Sequence, residues 1–388
     1  MKDTYISENI KYVGVDDKDL DLFESQYIVP NGISYNAYII MDEKIAILDT
    51  VDPRGTDEWL ENVKNTLDGK NPTYLVVHHV EPDHSGNIKN IVDLYPDIKI
   101  VGNVKTFVMI NQFYEGLIRD EQKVLVKEND KLCLGAHTLT FIMAPMVHWP
   151  EVMVSYESTE KILFSADGFG KFGTLDTDEA WDCEARRYYI NIVGKYGAQV
   201  QALLKKVSKL EINTICALHG PILKGDLSHY IEKYDIWSSY RPENEGIVIA
   251  CASIHGNTAK ACEVLKEKLI AKGAKKVSIF DLARDDMAEA LEDSFRYDKL
   301  VLAGASYDGG VFPCMESFLN HLKSKNFQNR TVAYVQNGTW APTAFKTMKV
   351  IVDTMKNITE LEQVVTIKSC LNGESMEQLE KLADELTS

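Results

Sequence analysis

The chain has 388 residues, 45% of them apolar, and a formal net charge of -16. That length suits two domains rather than one, and the acidity excludes a surface built for nucleic acid or an anionic membrane. No stretch approaches the ~18 consecutive apolar residues of a membrane span, and "MKDTYISENIKYVG" lacks the charged start and apolar core of a signal peptide. Seven cysteines, scattered and without a C-x-x-C pair, fit reduced thiols in a cytoplasmic protein rather than a disulfide framework or zinc ribbon.

Up to about residue 235 short apolar runs alternate with helical patterns. Strands are expected at "AYIIM", "KIAILDT", "TYLVVHHV", "IKIVGN", "LTFIMAP", "KILFSAD" and "TICALHG", each closed by a turn-prone or polar residue. Apolar residues at helical spacing predict helices over "TDEWLENVKNTL" and "GAQVQALLKKVSKL". The polar, aperiodic "WSSYRPENEG" marks a boundary, which makes residues 1–242 one domain and 243–388 another. Beyond it "GIVIACAS", "KVSIFDL", "KLVLAGAS", "TVAYVQNG" and "EQVVTIK" alternate with helices. Apolar strands separated by helices predict an α/β fold with a doubly wound parallel sheet.

The densest chemistry is "HHVEPDHSGN", residues 78–87, directly after an apolar run. In a strand His78 and His79 point opposite ways, so only one can join the residues that follow. Taken as H-x-E-x-D-H, the stretch offers His79, Glu81, Asp83 and His84, two nitrogen–oxygen sets for two adjacent metal ions. Further ligands must come from later strand ends. Candidates are His148 in "MAPMVHWP", Asp167 in "LFSADGFG", placed to bridge two ions, and His219 in "CALHGP". His229, in the helical "DLSHYIEKY", rivals His219, which its strand-end position favours. His78 reads as a packed residue on the opposite face, and His137 and His321 as surface residues. Tyr196 in "NIVGKYG" is a candidate to stand behind the ligands.

In parallel sheets, ligands bind at the carboxyl ends of the strands. The first strand of the second half runs into Ser253, Ile254, His255, Gly256, Asn257 and Thr258. Hydroxyls, an amide and a flexible glycine where a helix begins suit a phosphate dianion. The pattern is neither G-x-G-x-x-G nor a Walker motif, which argues against a dinucleotide or a nucleoside triphosphate. The third strand ends in Ser306, Tyr307, Asp308 and Gly309, the fourth in Asn337, Gly338, Thr339, Trp340 and Ala341. Each of these loops pairs an aromatic ring with small residues that let backbone approach a flat ligand. A monophosphate loop with two such neighbours suits FMN.

The second half resembles flavodoxin. The first resembles the metallo-β-lactamase fold, an αββα sandwich whose usual signature is H-x-H-x-D-H; here Glu81 replaces the second histidine. A carboxylate there is harder and anionic, which favours iron over zinc. With "GISYNAYII", "HWPEVM", "SADGFG", "YYINIV", "ALHGP", "SIHGNT" and "NGTWAP", the whole chain is similar to the flavodiiron proteins.

That resemblance implies one iron on His79, Glu81 and His148, another on Asp83, His84 and His219, and Asp167 bridging. It implies reduction of O2 to water, or of NO to N2O, with electrons passing through FMN from a separate rubredoxin-like donor. It also implies a head-to-tail homodimer, or a dimer of dimers, in which one chain's FMN serves the other's irons. Some members carry a histidine where this chain has Glu24, so Glu24 would bear on the choice between the gases. Without C-x-x-C pairs or a dinucleotide fingerprint, neither a fused rubredoxin nor direct NAD(P)H oxidation is expected. Rubredoxins are acidic, as this chain is, so a basic patch near the FMN is expected to receive one. A dinuclear-metal hydrolase is the alternative on the same fold, and Glu81 with the acidic ligand set counts against it.

Overall fold

Short apolar strands in the first half build two mixed sheets that face each other. The computed structural model describes residues 4–388. One sheet runs in the order Ile10–Tyr12, Tyr38–Ile40, Ala46–Leu48, Tyr74–Val76, Lys99–Gly102 and Lys123–Leu125. The other runs Lys131–Cys133, Thr138–Met143, Met153–Glu157, Ile162–Phe164, Thr214–Cys216 and Leu223–Lys224. Tyr38, Leu48, Val76 and Val101 of the first meet Phe141, Met153, Phe164 and Cys216 of the second in one core. The helix Thr56–Leu67 packs by a single stripe, Trp59, Val63 and Leu67, at four-residue spacing.

The five strands of the second half form a parallel sheet in the order Val277–Asp281, Asn244–Ala252, Tyr297–Tyr307, Gln328–Asn337 and Lys356–Ile367. In chain order that is 2-1-3-4-5, the flavodoxin arrangement. Leu265 and Leu269 of Asn257–Ala271 and Leu379 and Leu382 of Gly373–Thr387 cover one face. On the other, Val248, Ala250, Leu300 and Leu302 are buried, where Met287–Arg296 and Pro313–Ser324 meet the sheet.

Two compact units result: Met1–Tyr189 with Ala198–Asp235, and Ile190–Gly197 with Ile236–Ser388. Among the described residues, no helix is long and apolar enough to cross a membrane.

Two expectations change. The strand "TYLVVHHV" stops at Val76, so irregular backbone rather than strand alternation turns His78 and His79 apart. His137 is buried, not on the surface: its Nδ1 lies 2.7 Å from Asp42 Oδ2 and its Nε2 3.2 Å from Glu160 Oε1.

Candidate metal centre and cofactor pocket

Four short connections carry the candidate ligands. After Tyr74–Val76 the chain places His79 and Glu81 in irregular backbone. Pro82, with φ preset for a first helical turn, then starts the short helix Pro82–Ser85 that carries Asp83 and His84. His148 sits between Thr138–Met143 and Met153–Glu157. Asp167 and His219 follow Ile162–Phe164 and Thr214–Cys216.

The fold gathers these seven side chains into two groups: His79, Glu81, His148 and Asp167, and then Asp83, His84 and His219. Within each group the ligand atoms lie within 4.8 Å of one another. Glu81 Oε2 is 3.2 Å from His79 Nε2 and 2.9 Å from His148 Nε2. Asp167 Oδ2 is 3.4 and 3.1 Å from the same two nitrogens. Asp83 Oδ2 is 3.3 Å from Nε2 of both His84 and His219. Asp167 turns its other oxygen, Oδ1, to His84 Nε2 at 3.2 Å, so one carboxylate faces both groups.

The hydrogens on the rings decide what this arrangement accepts. His219 Nδ1 lies 2.8 Å from the Ser34 carbonyl, which can only accept, so its Nε2 presents a lone pair. His79 Nδ1, 2.8 Å from Glu151 Oε1, is held the same way. These lone pairs converge on carboxylate oxygens, and His219 Nε2 stands 3.1 Å from His84 Nε2. Both oxygens of Asp83, Oδ1 of Asp167 and Nδ1 of His84 are buried without a hydrogen-bond partner, which is costly in a dry interior. A cation in each group resolves these repulsions.

In the absence of a cation, protons serve instead. Burial opposes it, but Asp167 and Glu81 push the His148 imidazole up to about 9. Against burial too, Asp167, Glu151 and Glu81 raise His79. In turn the imidazoles outweigh burial to hold Glu81 and Asp167 below the usual carboxylate range. A metal ion entering here displaces protons.

Several neighbours had no assigned role in the sequence. Glu151 backs His79. Asn36 Nδ2 donates to the carbonyls of Ala217 and Gly220 at 2.9 and 2.8 Å, which fixes the turn that carries His219. Phe23, Tyr35 and Tyr188 ring His219 at centroid distances of 5.4, 5.9 and 5.4 Å. The Tyr188 hydroxyl is buried and unpartnered. Burial, then Asp167, Asp83 and Glu81, drive its pKa up. All but Phe23 fall within "GISYNAYII", "HWPEVM" and "YYINIV", but no ligand-type spacing singles them out.

The other histidines and Tyr196 lie elsewhere. His78 Nδ1 is 2.6 Å from Asp49 Oδ2 and its Nε2 2.7 Å from Ser155 Oγ. That is the Ser–His–Asp order of a hydrolase, but all three are at most 1% exposed, so the network is a strut beneath His79. His229 is exposed and pairs with Asp182 at 2.6 Å. Tyr196 belongs to the second unit, where Lys195 Nζ lies 5.7 Å from its ring centre. Glu24 is within electrostatic reach of the first group: desolvation and then Glu81 raise its carboxyl, while His148 opposes them.

In the second unit a cavity of about 530 Å³ opens at the strand ends, a size typical of cofactor sites. It is lined by Ser253, Ile254, His255, Asn257 and Thr258, by Ser306, Tyr307, Asp308 and Gly309, and by Asn337, Gly338, Thr339, Trp340 and Ala341. Gly256 is not in the lining. With φ +85° it makes the left-handed turn into the helix Asn257–Ala271, whose start no side chain caps, so its N–H groups face an anion freely.

Ala305, Thr343 and Ser369 also line the cavity. Ser369 follows the fifth strand, where the strand-end rule that found the other loops points as well. Ser306 Oγ is engaged, accepting from Thr343 N at 2.8 Å. Trp340 is 92% exposed, and no lysine or arginine is among the lining residues; the nearest exposed lysines by sequence, Lys260, Lys346 and Lys368, lie outside it.

Fold and site together define a metallo-β-lactamase-like unit with a candidate dinuclear metal centre, and a flavodoxin-like unit. The ODP family of β-lactamase-like proteins matches residues 33–220. The nitric oxide reductase of Moorella thermoacetica is 29% identical over 335 residues, 84% of this chain and 83% of that one. Among solved structures, the rubredoxin oxygen:oxidoreductase of Desulfovibrio gigas is 25% identical with a TM-score of 0.92, covering 99% of this chain and 97% of that one. The flavodiiron protein of Giardia intestinalis, 23% identical with a TM-score of 0.92 over 100% and 96%, shares the fold. Over nearly its whole length the chain is similar to flavodiiron proteins in sequence and fold.

Proposed function

We propose that this chain reduces O2 to water with four electrons at an iron pair, fed through FMN by a separate rubredoxin-like donor. The observation that carries the proposal is Asp167, whose two oxygens face two nitrogen–oxygen groups in a set that contains no thiolate. Such hard donors suit iron better than softer sites do. His79, Glu81 and His148 would hold one ion and Asp83, His84 and His219 the other, with Asp167 between. FMN would rest its phosphate on residues 253–258 and its ring between the loops of Tyr307 and Trp340. A head-to-tail homodimer or dimer of dimers, setting one chain's pocket against another's metal centre, is part of the proposal.

Bound there, the flavin and the iron pair supply one- and two-electron steps, four electrons in all. The chain's own groups orient and shield. Glu151 and Ser34 fix the ring hydrogens of His79 and His219, so the lone pairs stay inward. Phe23 and Tyr35 pack around His219 and keep water out. Tyr188 holds a proton at its hydroxyl in the field of Asp167, Asp83 and Glu81. Glu24 carries its carboxyl in the electrostatic field of Glu81 and His148.

NO is the second reading, because the Moorella relative is named a nitric oxide reductase while the Desulfovibrio structure is named an oxygen:oxidoreductase. After iron and flavin analysis, the reduced protein is mixed with each gas in anaerobic stopped flow. Fast reoxidation by O2 without hydrogen peroxide is the expected result. Fast N2O formation with slow O2 turnover would transfer the assignment to NO. Iron- and FMN-loaded protein that neither gas reoxidises would overturn both.

A further inference from the structure

We infer that the two halves of the metal centre are unequal: the half built by His79, Glu81 and His148 binds its ion more tightly and fills first, and Glu151 is the positioning residue responsible. The inference rests on the dinuclear reading above and adds an order to it.

It comes from what stands behind three of the four rings, His79, His219 and His84. His79 Nδ1 meets a carboxylate, Glu151 Oε1, at 2.8 Å, with both side chains 0% exposed. His219 Nδ1 meets a neutral backbone carbonyl, that of Ser34, at 2.8 Å. His84 Nδ1 is buried and meets nothing. Three imidazoles thus have three different supports: an anion, a dipole and none.

An anion behind a ring raises the basicity of the nitrogen that faces the metal and locks the ring's tautomer. A carbonyl does this less, and a ring whose outer nitrogen has no hydrogen-bond partner gets no such support. Glu151 itself is rigidly held. Its Oε1 also accepts from Val80 N at 2.9 Å, and its own carbonyl accepts from Asn103 Nδ2 at 2.6 Å. Its Oε2 is buried with no partner, so no nearby donor other than Val80 and His79 draws on its charge. The Trp149 ring stands edge-on to His79 at 5.2 Å and further fixes it. Counting carboxylates, the first half has Glu81 in front and Glu151 behind, the second Asp83 alone, and they share Asp167.

Full-length protein stripped by a chelator is titrated anaerobically with Fe(II), and in parallel with Co(II), whose visible absorption reports the ligand field of each ion. Two steps are expected, the first roughly 10–100-fold tighter, the range such supporting groups command. Asp83→Ala should keep the tight step, and His148→Ala should lose it. Glu151→Gln, which keeps an acceptor but removes the charge, should weaken the first step by about tenfold or more and bring the two together. Glu151→Ala should weaken it further, with the melting of the metal-free proteins reporting whether each variant folds.

Equal steps in the parent protein, a tight step that survives His148→Ala, or a Glu151→Gln change that weakens both steps alike would each overturn the inference and leave the dinuclear reading standing. Failure to bind two equivalents would remove the dinuclear reading itself.

Discussion

Asn36 contributes to the metal centre from far away in sequence. Its amide bridges the carbonyls of Ala217 and Gly220, and its Oδ1 accepts from Tyr12 at 3.1 Å. Tyr38 Oη also donates to Ala217 O, so Asn36→Ala leaves chiefly the Gly220 carbonyl unpaired. A buried orphan acceptor costs about 1–3 kcal/mol, and the loosened turn carries His219. The variant should lose that much stability in urea and bind its second metal equivalent more weakly. Normal binding with lowered stability would confine Asn36 to the fold.

Tyr188→Phe separates two roles in the opposite direction. It removes a buried hydroxyl that has no partner, so stability should hold or rise. If that hydroxyl donates during turnover, gas-driven reoxidation should slow by roughly tenfold, the worth of one hydrogen bond. An unchanged rate would make the tyrosine a packing residue. The candidate ligands were legible in the sequence because metal chemistry restricts residue types and strand ends restrict places. Glu151 and Tyr188 were not, since a glutamate after a proline and one tyrosine of a pair carry no spacing that distinguishes support from packing.

At the scale of elements, the clearest discrepancy is His137. A glycine–alanine–histidine turn reads as an exposed hairpin tip, yet His137 is buried and meets Asp42, from the turn between Tyr38–Ile40 and Ala46–Leu48. The contact ties the two sheets together and could not be seen locally. The same holds for strands as short as Leu22–Phe23 and Tyr27–Ile28, whereas the central strands of the second unit, Asn244–Ala252, Tyr297–Tyr307 and Gln328–Asn337, buried on both faces over most of their length, announce themselves as apolar runs.

Burial works against the ion pair, but N–H donation from His137 outweighs it and holds Asp42 at about 2. Hydrogen bonds to Asp42 and Glu160, with Glu157 nearby, raise His137 despite its burial. Asp42 therefore stabilises above its ordinary value of 3.8, an effect lost as pH falls through about 2. His137 stabilises fully below its ordinary 6.5, an effect lost as pH rises through the elevated value. His137→Asn should lower Tm most in the pH window between those two ordinary values, and the gap to the parent should narrow as pH rises further. A gap independent of pH would mean the histidine acts by shape alone.

For the whole molecule, sequence order is a poor guide to which parts belong together. Residues 190–197 come from the middle of the first half, yet they pack in the second unit. There Asn191 Nδ2 donates to Ala288 O at 3.3 Å and Asn326 Nδ2 to Lys195 O at 2.7 Å. Nothing in the composition of "NIVGKYG" foretells that exchange. Net charge, by contrast, is fully legible and has a consequence for electron supply. At -16, the chain repels an acidic donor, and the cofactor pocket offers no lysine or arginine in its lining to counter it. Its open wall is instead Trp340 and Tyr307, a surface for apolar contact. Salt shortens the reach of repulsion from about 30 Å at 0.01 M to about 10 Å at 0.1 M. Reduction of the flavin by an acidic rubredoxin should therefore speed up across that range. A rate that falls with salt would assign steering to the exposed Lys260, Lys346 and Lys368 beyond the lining. Reversing those charges would then have to abolish the salt dependence.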